Sequence, residues 1–308
     1  MIGISARRVL HVACNVVDAA ASVQFLAATA TLEARMRSGP IPAQGTHLGL
    51  AAEVSAEVDT TFLYDARGPR SAPAIEAVEW LRPAAVIAAD PRRPGPGPHT
   101  LVVAHEDVAS CAASVRAAGG RTLPERPGFL GPDAVVAAGP GGLRVAFVPA
   151  RPDERRYAVA TVVGLWLDVT DLAASVDWYR AVGFTADGSA SRAGVDRPAD
   201  DVRALVLPDD EPSFALHLAP TEMPERDTDD QRVFEGVGRI ALVVDDVRAS
   251  VARLRLDGIN IGDAQAFPLP GKPDGGLLIA FTRDPDGGVV ELVQRPRGVF
   301  RPPRRRTA

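Results

Sequence analysis

The chain is predicted to be an α+β protein, four βαβββ modules paired into two cupped mixed-sheet domains. Three observations carry that prediction. One layout repeats four times: "LHVACNVVDAAASVQFLAAT" from Leu10, "HTLVVAHEDVASCAASVRAAGG" from His99, "GLWLDVTDLAASVDWYRAVGF" from Gly164 and "RIALVVDDVRASVARLRLDGI" from Arg239. Within each copy an apolar, β-branched run of strand length passes into helical spacing of Ala and Leu. After each helix come further strand-like pieces punctuated by turns.

The elements follow in order. Each opening strand ends at an acidic residue, Asp18, Asp107, Asp171 or Asp246. There the carboxylate can accept from the free N–H groups of the first helical turn and face the helix dipole. Gly119, Gly183 and Gly258 stand where the second, third and fourth helices should stop. The later strands read "TTFLYDARG" and "AIEAVEWL" in the first unit, and "DAVVAAG" and "LRVAFVPA" in the second. In the third they read "VRALVLPDD" and "SFALHLAP", and in the fourth "LLIAFTRDPDGG" and "VVELVQRP". "GPGG" at Gly139 and "DPDGG" at Asp284 read as hairpin turns rather than phosphate cradles. A boundary between Arg151 and Tyr157 gives an N-terminal domain of residues 1–150 (modules 1 and 2) and a C-terminal domain of residues 158–297 (modules 3 and 4). Residues 298–308, "GVFRPPRRRTA", form a basic tail expected to be disordered.

Composition excludes several classes. With 34 Lys and Arg against 39 Asp and Glu, the net charge of −5 gives no global attraction to nucleic acid or an anionic membrane. Two cysteines, Cys14 and Cys111, make no disulfide framework, and no apolar run approaches membrane-spanning length. The expectation is a cytoplasmic protein, monomer or homodimer, with a small organic molecule as partner. No nucleotide-binding loop or serine-hydrolase elbow is present.

The phrase "VTDLAASVDWYRAVGF", Val169 to Phe184, and the ending "DPDGGVVEL", Asp284 to Leu292, resemble the vicinal oxygen chelate superfamily of glyoxalases, bleomycin-resistance proteins and extradiol dioxygenases. The resemblance covers about residues 8 to 297. It implies that two modules enclose one cavity, with metal ligands from the first and last strand of each module. The first-strand ligand of the family is usually a His seven residues before the capping Asp. That place holds His11 in the first unit, Thr100 in the second, Gly164 in the third and Arg239 in the fourth. The last-strand ligand is usually a Glu in a "VEL" phrase, which points to Glu79 in the first unit and Glu291 in the fourth. His217 takes the matching place in the third unit, and Val145 or its neighbours in the second offer no ligand.

With modules 1 and 2 in one cup, the candidate metal site is His11, Glu79 and His99. His99 stands eight residues before Asp107 rather than seven, so it needs a β-bulge to face the cavity. Two histidines and a carboxylate suit Fe(II) or Mn(II) ahead of Zn(II) and leave positions open for a substrate with adjacent oxygens. The implied enzyme is a metal-dependent dioxygenase, with an isomerase or lyase close behind. The alternative is a metal-free pocket in the other cup. There Arg239, Glu291 and His217 would act on a small molecule, with Trp166 and Asp168 as wall, or would merely sequester a drug. Arg239 and Glu291 are expected to form an ion pair, since a guanidinium cannot ligate a cation. His105 is expected to be a surface or capping residue, and His47 a loop residue.

Overall fold

A computed structural model describes residues 6–48, 51, 54–85, 95–125, 127–186, 202–210, 214–223, 233–267 and 276–304. The four modules are present. The first runs β1 (Arg8–Val16), α1 (Ala19–Ala30), β2 (Glu33–Gln44), β3 (Ser55–Tyr64) and β4 (Ala74–Arg82). The second runs β5 (Gly97–His105), α2 (Val108–Ala117), β6 (Arg121–Thr122), β7 (Val135–Ala138) and β8 (Arg144–Pro149). A short helix, α3 (Pro152–Arg155), leads to the third: β9 (Ala160–Val169), α4 (Leu172–Val182), β10 (Thr185–Ala186), β11 (Arg203–Val206) and β12 (Ala215–Pro220). The fourth is β13 (Gly236–Val244), α5 (Val247–Leu256), β14 (Gln265–Phe267), β15 (Leu277–Arg283) and β16 (Val289–Gln294).

All four capping aspartates do what the sequence implies. Asp18 accepts from the N–H of Ala21, Asp107 from Ser110, Asp171 from Ala174 and Asp246 from Ala249. Gly119, Gly183 and Gly258 end their helices at positive φ. The first helix has no glycine there, and Thr31 takes the left-handed conformation instead, at φ 51°.

The pairing of modules departs from the sequence reading. One eight-stranded sheet has the order β14-β15-β16-β13-β1-β4-β3-β2, so it joins module 1 to module 4. The other, β10-β11-β12-β9-β5-β8-β7-β6, joins module 2 to module 3. Neither residues 1–150 nor residues 158–297 therefore form a self-contained sheet. The first strand of every module has an open edge, and strand propensity alone cannot choose its partner. The short connection through α3 lets β9 return antiparallel beside β5, and β1 and β13 are left to pair with each other. Modules 1 and 2 meet through helices instead. The Phe25 ring of α1 presses on Gly120 and Gly139, where an added Cβ would come within 2.6 Å of it.

The main core fills the space between the two sheets and holds the helices. It contains Val12, Phe25, Leu101, Phe147, Leu165, Tyr179, Leu242 and Leu292 among others. Tyr179 donates to Asp284 at 2.8 Å and Thr170 to Asp286 at 2.6 Å, tying module 3 to the "DPDGG" turn of module 4. That turn is the expected hairpin, with Gly287 at φ 82°. The start of the C-terminal tail is ordered against the body, contrary to expectation. Arg301 N–H donates to Arg70 O, Ser71 donates to Arg301 O, and Phe300 lies 4.4 Å beneath the Arg8 guanidinium. An aromatic residue within a basic segment had a cation to cover. Both cysteines are buried free thiols, and no helix among the described residues is long and apolar enough to cross a membrane.

Candidate functional site

Strand register builds the site. In the parallel pair β1–β4, His11 lies beside Ala74 and Ala13 beside Glu76. In the parallel pair β13–β16, Arg239 lies beside Val289 and Ala241 beside Glu291. The two arrangements match residue for residue, and β1 crosses β13 with His11 opposite Ala241 and Ala13 opposite Arg239. Side chains alternate between faces. Val12, Cys14, Ile75, Ala77, Ile240, Leu242, Val290 and Leu292 enter the main core. His11, Glu76, Arg239 and Glu291 therefore converge on the other face. That face is otherwise apolar, with Ala13, Val58, Val78 and Trp80 on one side and Ala241, Ile279 and Val293 on the other.

The four polar side chains form one cluster. His11 Nδ1 is 3.2 Å from Glu76 Oε1, and His11 Nε2 is 3.2 Å from Glu291 Oε2. The Arg239 guanidinium bridges both carboxylates, with Nη2 3.2 Å from Glu76 Oε2 and Nε 3.0 Å from Glu291 Oε2. The expected ion pair thus exists, and Glu76 makes it a network. Burial by itself would raise the Glu291 carboxyl; Arg239 and then His11 outweigh it and hold the carboxyl below its ordinary value. Three atoms at the centre, His11 Nε2, Arg239 Nε and Glu291 Oε2, are withdrawn from solvent, yet none completes a well-aligned hydrogen bond.

A neutral imidazole can donate to one of its two carboxylate neighbours and must meet the other with a lone pair; the imidazolium donates to both. The cluster does not fit a resident divalent cation. The Arg239 guanidinium, itself a cation without lone pairs to offer, stands between the two carboxylates that would have to close on a metal. The carboxylates also engage opposite nitrogens of the imidazole. Among the described residues, no group of three His, Cys, Asp or Glu side chains is arranged to hold a metal ion.

The metal set expected from sequence, His11, Glu79 and His99, is not brought together. His11 is in the first sheet and His99, on β5, is in the second. Glu79 lies three residues past Glu76 on β4 and so points to the opposite face. There it accepts from the Ala19 N–H at 3.2 Å and helps to start α1. The ligand-like carboxylate of module 1 is Glu76, which the sequence reading missed. The segment "AIEAVEWL" holds two glutamates, and the resemblance of "VEW" to "VEL" favoured the wrong one. Counting from the strand start would have found Glu76, the third residue of β4 as Glu291 is the third of β16.

The alternative set is also divided. Arg239 and Glu291 belong to the cluster, whereas His217 lies on β12 in the second sheet. There the register places Thr100, Ala146, Gly164 and His217 where the first sheet has His11, Glu76, Arg239 and Glu291. The His217 ring occupies the space beside Gly164 and stacks on Phe129 at 5.2 Å, and Phe129 meets Trp166 at 5.5 Å. Val102, Leu130, Val136, Ala146 and Val148 complete an apolar filling. The β-bulge required at His99 does exist, between Pro98 and Thr100. It sets Nδ1 2.6 Å from Thr100 Oγ1 and Nε2 3.3 Å from Asp168 Oδ2, with the ring against Trp166. Trp166 donates to Asp168 at 2.8 Å, so these two share one face as expected, but with module 2 rather than module 4. His105 accepts from the Asp107 N–H at 3.0 Å, a capping role. The side chain of His47 lies outside the described residues.

Residues 161–292 match the family model described as the Glyoxalase/Bleomycin resistance protein/Dioxygenase superfamily. Among solved structures, glyoxalase I from Zea mays is similar with a TM-score of 0.65 at 20% identity, over 94% of this chain and 92% of that one. A Bacillus subtilis protein with a provisional dioxygenase name is similar with a TM-score of 0.64 at 12% identity, over 96% and 88%. No curated protein sequence matches the chain. The molecule is thus built on the glyoxalase-type fold in its two-sheet, four-module form, and its third and fourth modules carry that superfamily's sequence pattern.

Proposed function

We propose that the first cup is the active site of an acid–base enzyme acting on a small carbonyl compound, with Arg239 as its resident cation. The observation that carries this reading is the convergence of His11 Nε2, Arg239 Nε and Glu291 Oε2, buried and badly hydrogen-bonded, amid apolar walls. Such groups are costly to maintain without a partner, and a substrate oxygen entering among them would supply one. Arg239 would face the carbonyl oxygen and oppose the negative charge that develops there when an adjacent C–H bond ionises. His11 would accept that proton, with Glu76 and Glu291 orienting the ring. Returning the proton to the neighbouring carbon would give an isomerase; loss of a leaving group instead would give a lyase. Similarity to a glyoxalase I over nearly the whole chain supports an enzyme of this broad kind.

The test is proton exchange. A panel of small 2-hydroxy and 2-oxo carbonyl compounds is incubated with the protein in deuterated buffer, and loss of the C–H signal is followed by NMR. Exchange in wild type, abolished in His11→Gln and Arg239→Gln but retained in Glu79→Gln, supports the proposal. Saturable binding without exchange would make the cup a sequestering pocket, and exchange surviving both substitutions would remove the site.

A further inference from the structure

A cavity lies at the start of β1, three residues before His11, where five parts of the chain meet. Its volume is about 470 Å³, and its walls include Arg7, Arg8, Tyr157, Asp210, Phe300 and Arg301. That size falls within the range of small-molecule pockets. Its charges divide into two groups. Arg7 and Arg297 are committed to acidic partners: Arg7 to Asp209 at 2.6 Å and Asp245 at 3.1 Å, Arg297 to Asp245 at 3.1 Å. Arg8 has only a loose acidic partner, and Arg301 has none among the described residues. Arg8 is 5% exposed, and its nearest carboxylate, Asp210, is 3.9 Å away. Its Nε is buried without a hydrogen-bond partner, though Nη2 donates to Ser71 O at 2.8 Å. No carboxylate among the described residues pairs with Arg301.

A buried guanidinium whose carboxylate partner stands 3.9 Å away is incompletely compensated, and an oxyanion is the group that matches its donors. The remaining lining is flat: Phe300 under Arg8, Tyr157 from the link between halves, and Pro302 and Pro303. We propose that this cavity binds a small molecule bearing a phosphate or carboxylate on a flat apolar body, with Arg8 and Arg301 holding the anion. Two acidic groups line the cavity and would oppose it, Asp209, which Arg7 holds at 2.6 Å, and Asp210. Burial, against the pull of Arg8, raises the Asp210 carboxyl to about 7, which lessens that opposition. Because the walls come from β1, the link before β4 at Ser71, the turn after β11, the link at Tyr157 and the C-terminal segment, a bound molecule would fasten these together.

The probe is phenyl phosphate, with benzyl alcohol as its uncharged counterpart, each titrated into the full chain by calorimetry and by thermal melting. Phenyl phosphate should raise the melting temperature and benzyl alcohol should not. Arg8→Gln and Arg301→Gln should each weaken phenyl phosphate binding by about tenfold or more, as loss of a charge-assisted hydrogen bond does. Arg301 is exposed, so its variant remains decisive if Arg8→Gln fails to fold. The proposal falls if phenyl phosphate does not bind, if benzyl alcohol binds equally well, or if Arg301→Gln binds phenyl phosphate like wild type.

Discussion

His11 and Glu76, two positions apart in the register of neighbouring parallel strands, hold Nδ1 and Oε1 3.2 Å from each other. Arg239 and Glu291 repeat the relationship on the other pair, and the crossing of β1 with β13 merges the two into one cluster. Each cluster residue thus supports the next, and single substitutions have unequal consequences.

Arg239→Met should destabilise the protein by about 3–5 kcal/mol, since it leaves two buried carboxylates beside one imidazole. Chemical denaturation measures this. Arg239→His should instead confer divalent-cation binding, because it replaces the guanidinium between the carboxylates with a neutral ligand. Elemental analysis after reconstitution with Mn(II) or Zn(II) should find metal in the variant and little in wild type. Equal metal in both would show that Arg239 does not keep the cation out.

Glu76 and Glu79 offer a contrast within one strand. Glu76→Gln should abolish the proposed exchange activity, since the amide no longer holds the His11 ring as the carboxylate does. Glu79→Gln should leave activity intact and cost at most about 1 kcal/mol at the start of α1. Equal loss of activity in the two variants would contradict their placement on opposite faces of β4.

The buried pair Asp65–Arg67 fastens the two sheets. Arg67 donates to Asp65 at 2.7 Å and to Val162 O at 2.8 Å, while Asp65 accepts from the Val162 N–H at 3.1 Å. Arg67→Met should cost about 3–5 kcal/mol by leaving a fully buried carboxylate without its counter-charge. Replacing both residues with apolar ones should restore part of that loss, which a double-mutant cycle would measure.

Two carboxyls set a pH dependence. Burial raises Asp210 from 3.8 to about 7, against Arg8, and Asp284 from 3.8 to about 6, against hydrogen bonds led by Tyr179. Both bind protons more tightly folded than unfolded. The stability they contribute is therefore complete below about pH 4 and lost as pH rises through their folded values. Denaturant midpoints should fall between about pH 5 and about pH 8, and Asp210→Asn should flatten the upper part of that decline. A slope unchanged by the substitution would remove Asp210 as its source.

The modules and their helix starts were legible because their signals are local: Asp18, Asp107, Asp171 and Asp246 each sit between a strand pattern and a helix pattern. The half-cluster of Arg239 and Glu291 was legible for the same reason, as one module supplies both. What joined them to His11 and Glu76 was a strand pairing between the two ends of the chain, and no local pattern records that. Placing His99 with His11 failed on this point alone, since the bulge it needed is present. Choosing Glu79 over Glu76 was a different error, one of strand parity, where a shift of an odd number of residues changes the face.

The pairing of β1 with β13 also orders events during synthesis. Modules 2 and 3 can complete their sheet as soon as β9 to β12 have left the ribosome. Module 1 must meanwhile wait, its β1 edge uncovered, until β13 and β16 arrive. Bringing such distant segments together is slow, and an open strand edge invites wrong partners. The cup that holds the polar cluster is therefore the last part of the molecule to be assembled, and a chain truncated before module 4 would carry His11 and Glu76 with nothing to close on.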